Sequence, residues 1–159
     1  MSEAVPRKLA PSTEQELRRL KPFLKAMSAL NRAVFRWTGG RLGGRFLRGA
    51  PVGLLTTTGR RSGARRTLPL IYLADGERLV LVASQGGMPR NPLWYDNLVT
   101  HPEVEFQTPR GPVRRYRART ASPEEKRAYW PRLCAIYPDY ADYQARTERD
   151  IPVVVLDPA

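Results

Sequence analysis

The stretch LLTTTGRRSGARRTLPL, residues 54–70, places four arginines and two glycines between two apolar runs. The flanking runs are rich in threonine, leucine and other residues that favour strands joined by a turn. The glycines permit positive φ angles and let another molecule approach the main chain closely. The stretch therefore predicts a β-hairpin whose tip carries several guanidinium groups.

This hairpin tip has two interpretations. In the first it is an anion site, because forked guanidinium donors, the Ser62 hydroxyl and backbone N–H groups all suit phosphate or carboxylate. In the second it is a solvated hairpin tip. The spacing matches neither the Walker loop nor the GxGxxG loop. From residue types alone both interpretations stay open. The arginines concerned are Arg60, Arg61, Arg65 and Arg66.

The charge of the chain is unevenly distributed. Residues 1–66 contain fifteen lysines and arginines against three acids, whereas residues 67–159 contain twelve of each, so the first part carries the whole net charge of +12. Such a surface attracts nucleic acid, an anionic membrane or a polyanionic ligand. The alternative is an arginine-rich composition without functional meaning. The single Cys134 and single His101 exclude an internal disulfide and metal sites built from several His or Cys, so no metal is expected.

The length of 159 residues suits one domain with its own core. No apolar run approaches the roughly 20 residues that span a bilayer, and no secretory signal pattern is present, so we expect a soluble, cytoplasmic protein. We divide the chain into a basic helical segment, residues 1–50, and a domain, residues 51–159.

The basic segment contains a predicted amphipathic helix over residues 22–37, preceded by a short helix ending near Lys21. Its apolar residues recur at spacings of three and four, which is typical of a helix with one apolar face. This helix either packs on the domain or contacts a membrane surface at the inner face of the cell membrane. The apolar residues are Phe23, Met27, Leu30, Val34 and Trp37.

From residue 51 onward the pattern alternates between strands and helices. We predict a turn over Ala74–Gly76, a helix capped by Asn91, a helix capped by Ser122 and kinked at Pro131, and a helix near 139–147. Pro69 suggests an edge strand or a bulge. Together these elements predict an α+β barrel of about six mostly antiparallel strands with flanking helices. The predicted strands are 52–58, 67–73, 78–84, 103–107, 113–120 and 151–157.

Two further patterns suggest a binding site. In residues 83–97, Ser84 ends a strand, a Gly-Gly loop follows and a helix begins, and a helix N-terminus favours an anion or a carbonyl oxygen. Ordinary capping, with Trp94 and Tyr95 in the core, explains the same pattern. In residues 137–143 three tyrosines recur every third position, with aspartates between them. They form either a core seam or a partly wet wall suited to a flat, conjugated ligand.

Four segments together resemble the deazaflavin-dependent nitroreductases, which are also quinone reductases. The segments are TTTGRRSGARRTLPL (56–70), VASQGGMPRNPLWYDNL (82–98), YWPRLCAIYPDYADYQ (129–144) and RDIPVVVLDP (149–158). The resemblance implies a split β-barrel like that of FMN-binding proteins and the reduced deazaflavin coenzyme F420. It also implies hydride transfer from that coenzyme to a quinone or a nitroaromatic compound. F420 carries a phosphate and an oligoglutamate tail, so the hairpin tip is expected to hold these anions.

The resemblance also implies the site residues. Ser84, Tyr137, Tyr140 and Tyr143 are expected to act on the acceptor. Gln85 replaces a lysine of the family pattern and Ile71 replaces a tyrosine. Residues expected to contact the coenzyme are Arg60, Arg61, Ser62, Arg66, Thr67, Leu68, Pro69, Leu70, Ile71, Val82, Ala83, Ser84, Gln85, Leu93, Trp94, Tyr95, Asp96, Asn97 and Tyr140.

Two rival functions remain at this point. An oxidoreductase with the same barrel could use FMN in place of F420. A basic barrel could instead bind nucleic acid through arginines and stacked tyrosines. The charge lies mainly in one turn and one helix, and the strands show little alternation of aromatic and basic residues, so nucleic acid is not an expected partner.

Overall fold

The computed structural model describes residues 49–159 and the single position 33. The predicted helices before residue 50 and their membrane contact therefore lie outside the described residues. The strands are β1 Val52–Thr58, β2 Arg65–Ile71, β3 Leu73–Asp75, β4 Arg78–Val82, β5 Glu103–Gln107, β6 Val113–Thr120 and β7 Val153–Pro158. The helices are α1 Leu93–Thr100, α2 Pro123–Ile136 and α3 Asp139–Ala145.

These strands form one sheet in the order β2-β1-β5-β6-β7-β4-β3, and every pairing is antiparallel. The sheet curls so that β2, at one edge, approaches β4 near the other edge. This architecture confirms the predicted α+β split barrel. Within residues 49–159 the sheet has seven strands where the sequence predicted six.

The two faces of the sheet are buried in two separate cores. Successive strand residues point to opposite faces. Leu81 and Val154 therefore lie inside the barrel with Phe106, whereas the neighbouring Val82 and Val153 pack beneath the helices. The second core contains residues of α2 and α3, which places the tyrosines of α3 against β4 and β7.

The extra strand arises at Tyr72. The predicted strand 67–73 is wrong because the Tyr72 N–H donates to the carbonyl of Pro51 at 3.2 Å, and β2 ends before it. The predicted turn over Ala74–Gly76 is also wrong. Ala74 and Asp75 pair with β4, and Gly76, at φ 60°, begins the two-residue turn instead. Pro69 lies in an edge strand, as predicted.

Of the two predicted helix caps, the one at Ser122 is confirmed and the one at Asn91 is wrong. The capping box at α2 is confirmed, since the Glu125 N–H donates to the Ser122 hydroxyl at 3.2 Å and the Ser122 N–H donates back to the Glu125 carboxylate at 2.8 Å. Pro131 lies within α2, which continues to Ile136. Asn91 does not cap α1, because Pro92 occupies the cap position.

Three further elements differ from their predicted bounds by one or two residues: β4 ends at Val82, α3 ends at Ala145, and β7 runs from Val153 to Pro158. No helix in the described part of the chain is long and apolar enough to cross a membrane.

Candidate functional site

Two adjoining concavities lie along the edge strand β2 and the loop Ser84–Met88. The arginine groove has a volume of about 1030 Å³ and is lined by Gly59, Arg60, Arg61, Ser62, Arg65, Arg66, Thr67, Leu68, Gln85, Leu93, Trp94 and Asn97. The tyrosine cavity has a volume of about 260 Å³ and is lined by Val52, Pro69, Leu70, Ile71, Val82, Ser84, Gly86, Tyr137, Tyr140 and Tyr143. Leu68 and Pro69 are consecutive, as are Gln85 and Gly86, so both concavities border the same part of β2 and the same loop.

The hairpin turn forms one wall of the arginine groove. It is held by hydrogen bonds within the turn and by one hydrogen bond to α1. The Gly59 N–H donates to the Ala64 carbonyl at 2.7 Å, and the Gly63 N–H donates to the Gly59 carbonyl at 2.8 Å. The buried Asn97 side chain of α1 accepts a hydrogen bond from the backbone N–H of Arg60 at 3.1 Å. The turn is thereby fixed against the middle of α1.

The four arginines of the turn differ in their ionic partners. Arg65 pairs with Glu105 at 2.6 Å, and Arg60 lies 3.8 Å from Asp96. Within residues 49–159 no acidic side chain forms an ion pair with Arg61 or Arg66. The groove therefore presents two guanidinium groups whose charge the described protein does not neutralise.

The tyrosine cavity is walled by three packed phenol rings. The Tyr137 and Tyr143 hydroxyls lie 3.1 Å apart and share a hydrogen bond. The Tyr137 and Tyr140 rings meet edge to face, with centroids 5.0 Å apart. Burial raises the pKa of Tyr137 and of Tyr140, and the bond to Tyr143 raises the pKa of Tyr137 further. The raised pKa keeps the Tyr137 and Tyr140 phenols neutral at physiological pH.

Two hydroxyls at this cavity are not engaged by the surrounding protein. The Tyr140 side chain is only 4% exposed, and the structure gives its hydroxyl no hydrogen bond to the rest of residues 49–159. The Ser84 hydroxyl likewise has no bond there, although Ser84 is buried. Both side chains line the cavity, so their donors are free for a molecule bound in it.

The loop between β4 and α1 is folded tightly against α3. Its residues Gln85, Gly86 and Gly87 have φ angles of 44°, 64° and 77°. A Cβ atom at Gly87 would lie 2.5 Å from the carbonyl oxygen of Tyr143. Only glycine fits there, and the loop is therefore packed directly on the helix that carries the cavity wall.

Arg149 holds this loop from the other side. Its guanidinium donates to the carbonyls of Met88 at 2.7 Å, Ser84 at 2.8 Å and Ala83 at 3.2 Å, and to the side-chain oxygen of Asn91 at 2.8 Å. All four acceptors are neutral groups. Burial lowers the pKa of Arg149, and the side chain stays a cation at physiological pH.

The structure brings together most of the residues predicted for the site. Ala83, Tyr95 and Asp96 line neither concavity. Ala83 is fully buried in the core, the Tyr95 hydroxyl bonds that of Thr120 at 2.8 Å, and Asp96 faces Arg60. Ten predicted residues line the arginine groove: Arg60, Arg61, Ser62, Arg66, Thr67, Leu68, Gln85, Leu93, Trp94 and Asn97. Eight line the tyrosine cavity: Pro69, Leu70, Ile71, Val82, Ser84, Tyr137, Tyr140 and Tyr143.

Sequence reasoning missed several residues of the site. Val52 lines the cavity because it pairs with Ile71 across the β1–β2 register, a relation that the hairpin prediction could have provided. Gly86 was part of the noted Gly-Gly loop. Arg149 gave no signal beyond its place in the segment 149–158.

A family model, a relative and a solved structure that match this chain are all described as F420H2-dependent reductases. A family model described as F420H(2)-dependent quinone reductase matches residues 27–158. An F420H(2)-dependent quinone reductase of Mycobacterium tuberculosis is 41% identical over 133 residues, which cover 80% of this chain and 87% of the relative. The solved structure of an F420-H2 dependent reductase is similar with a TM-score of 0.63 and 38% identity, covering 67% of this chain and 94% of that one.

Proposed function

The chain belongs to the F420H(2)-dependent quinone reductase family, and from this premise we propose that the arginine groove and the tyrosine cavity bind the two ends of one F420 molecule. The membership confirms the resemblance inferred from the sequence. The coenzyme is F420, and the reaction class is that of an oxidoreductase.

The shapes and charges of the two concavities match the two ends of this coenzyme. The flat, conjugated tricyclic ring suits the tyrosine cavity, and the phosphate and oligoglutamate tail suit the arginine groove. The seven residues of β2 run past both concavities and span roughly 20 Å, which is the extent an elongated ligand needs.

The observation that supports the proposal best is the pair Arg61 and Arg66, which form no ion pair within residues 49–159 and lie in a groove that adjoins an aromatic cavity. A guanidinium without a carboxylate partner is a strong, forked donor for phosphate or carboxylate oxygens. Unlike Arg65, neither residue has to leave an ion pair with another of the described residues to bind an anion.

The hydroxyl groups of the tyrosine cavity can donate hydrogen bonds and protons in such a reaction. When bound, the reduced coenzyme supplies a hydride equivalent. A quinone that receives this hydride also takes up one proton at oxygen to become a hydroquinone. We propose that the hydroxyls of Ser84 and Tyr140 donate hydrogen bonds to the acceptor oxygen, and that the Tyr137–Tyr143 pair provides the proton path. Because the raised pKa of Tyr137 and Tyr140 keeps both phenols protonated, they remain donors throughout the physiological range.

The test is a fluorescence titration of the purified chain with F420 in low salt. This is followed by the oxidation of F420H2 with a water-soluble naphthoquinone as acceptor. Micromolar binding and quinone-dependent oxidation are expected. An absence of binding at these concentrations, or a protein that purifies with tightly bound FMN, would overturn the proposal.

A nitroaromatic compound is the second candidate acceptor. A nitroaromatic compound is flat and conjugated like a quinone, so it suits the same position, stacked on the coenzyme ring beside the three tyrosines. With a nitrobenzene derivative in place of the quinone, F420H2 oxidation should depend on the same tyrosines. If no oxidation occurs, the acceptors are limited to quinones.

We further propose that residues 22–37 contact the membrane in which a membrane-borne quinone would be reduced. The apolar stripe and basic side of residues 22–37 suit an anionic bilayer surface. The full chain should sediment with vesicles containing anionic lipid, and Phe23→Ser combined with Trp37→Ser should weaken this association. Unchanged association of the double variant would contradict a membrane role for residues 22–37.

A further inference from the structure

The loop at the junction of the two concavities has its carbonyls turned toward Arg149. The carbonyl oxygens of Ala83 and Ser84 accept hydrogen bonds from its guanidinium at 3.2 and 2.8 Å. All peptide bonds in the described part of the chain are trans, so each carbonyl points opposite to the N–H of the same peptide unit. The N–H groups of Ser84 and Gln85 therefore point away from Arg149.

The backbone angles bring these N–H groups together. Ser84 is right-handed, with φ −76° and ψ −39°, whereas Gln85 and Gly86 have φ angles of 44° and 64°. A right-handed residue followed by a left-handed one makes three successive N–H groups converge in a concavity that binds an oxygen, a feature known as a nest. Within residues 49–159 the N–H groups of Ser84, Gln85 and Gly86 have no hydrogen-bond acceptor.

The position of these three residues defines what the nest can meet. Gln85 lines the arginine groove, and Ser84 and Gly86 line the tyrosine cavity. Arg149 itself lines neither concavity. We propose that Arg149 is a positioning residue that preforms this nest for a carbonyl or anionic oxygen of the bound coenzyme, a role that rests on the proposed function.

Two observations explain why an arginine is needed at this position. Gln85 occupies a left-handed conformation that non-glycine residues rarely adopt, so neighbouring groups must hold it. Arg149 ties together both ends of the loop, since its acceptors extend from Ala83 to Asn91. Lysine has a single ammonium group and lacks the planar fork that reaches such separated acceptors.

The charge of Arg149 adds to the effect of its geometry. It donates only to neutral oxygens, and the neighbouring Asp150 pairs with Lys126 instead. The cation behind the loop is therefore not cancelled by a carboxylate. It raises the electrostatic potential on the side where the three N–H groups converge.

The experiment compares Arg149→Lys with Arg119→Lys in the full chain. Arg119 is a matched control because it also makes several hydrogen bonds, to Glu125 and Asp157, but lies outside both concavities. Arg149→Lys should weaken F420 binding about tenfold, and Arg119→Lys should lower the melting temperature without changing the affinity. Equal F420 affinity of Arg149→Lys and wild type would overturn the inference.

A spectroscopic signature separates positioning from mere stabilisation. In proton–nitrogen NMR spectra of the wild type, F420 should shift the amide protons of Ser84, Gln85 and Gly86 downfield, and Arg149→Lys should reduce these shifts. If F420 leaves the chemical shifts of these three amides unchanged but changes that of the Arg61 amide, the nest does not bind the coenzyme and the inference is wrong.

The same spectra distinguish this failure from failure of the proposed function. If the wild type does not bind F420 at all, the proposed function is overturned. In that case the coenzyme-free spectra still test the positioning role. That role requires the three amide resonances of Arg149→Lys to differ from the wild type, and identical resonances would refute it.

Discussion

The side-chain oxygen of Asn97 accepts a hydrogen bond from the backbone N–H of Arg60 at 3.1 Å. The same side chain donates its Nδ2 to the hydroxyl of the buried Thr57 at 3.2 Å. One amide thus connects α1, β1 and the arginine turn. The geometry of the turn, which we propose to bind the anionic end of F420, depends on this buried polar contact as well as on the arginines.

Replacement of Asn97 should therefore affect both stability and coenzyme affinity. Asn97→Ala leaves the buried Thr57 hydroxyl and the Arg60 N–H without their partner, and we expect a loss of about 2 kcal/mol in the free energy of unfolding. Chemical denaturation and F420 titration provide the two measurements.

Asn97→Asp separates the charge effect from the loss of the anchor. It keeps an acceptor for the Arg60 N–H but adds a negative charge beside the groove, so its affinity defect should shrink as salt is added. A defect of Asn97→Asp that is independent of salt would contradict this electrostatic explanation.

The unpaired cations should dominate the ionic part of coenzyme binding. Arg61→Ala and Arg66→Ala should each weaken F420 binding about tenfold in low salt and reduce the salt dependence of the affinity, because each removes a charge-assisted contact. Arg117→Ala is the control, since Arg117 is paired with Glu103 outside both concavities. An equal effect of Arg117→Ala would indicate nonspecific attraction only.

Gly87 should tolerate no side chain. Gly87→Ala combines a φ of 77° with a Cβ atom 2.5 Å from the Tyr143 carbonyl oxygen, and should cost roughly 3 kcal/mol of unfolding free energy and lower quinone turnover. Gly76→Ala is a matched control, because its φ is 60° and nothing lies within 4 Å of the added atom. Gly76→Ala should cost only about 1 kcal/mol. Similar losses of unfolding free energy in both variants would show that the positive φ angle, and not the contact with Tyr143, causes the destabilisation.

The hydrogen-bonded tyrosine pair should act as a unit on the acceptor. Tyr137→Phe and Tyr143→Phe should each lower the turnover of the quinone about a hundredfold, and the double variant should be little worse than either. Tyr95→Phe removes a hydroxyl that bonds Thr120 outside the site and should leave turnover unchanged. Additive losses in the double variant would mean that the two hydroxyls work independently.

A carboxylate remote from the site should control part of the acid stability. The Arg119 guanidinium and the Ser122 N–H hold the pKa of Glu125 at about 2, below its ordinary 4.5. Because the folded-state pKa is depressed, this contribution is complete above pH 4.5 and is lost as the pH falls toward 2. The difference in unfolding free energy between wild type and Glu125→Gln should therefore shrink over that interval. Glu124→Gln, in the same helical turn, is the control, and an equal change in that variant would contradict the assignment to Glu125.

Much of the fold was predictable because it depends on local pattern. β1, β5 and β6 have the bounds that their strand-favouring residues and flanking turns predict, and the Ser122 capping box starts α2 as expected. Local chemistry is sufficient there, since the groups that set each boundary lie within a few residues. The prediction that Asn91 caps α1 was wrong because a distant residue decides the position of its side chain. The Asn91 side-chain oxygen accepts a hydrogen bond from Arg149, 58 residues away.

The sequence by itself determined the barrel class, the guanidinium-rich hairpin tip and the tyrosines spaced by three, because these follow from residue type and periodicity. Only the tertiary structure decided that, among residues 49–159, Arg65 has an acidic partner while Arg61 and Arg66 have none. It also decided that groove and cavity border one loop, and that Arg149 holds this loop. Arg149 lies 61 residues from Met88. Contacts over such a separation arise when the sheet curls and α3 closes on it, and no local pattern encodes them.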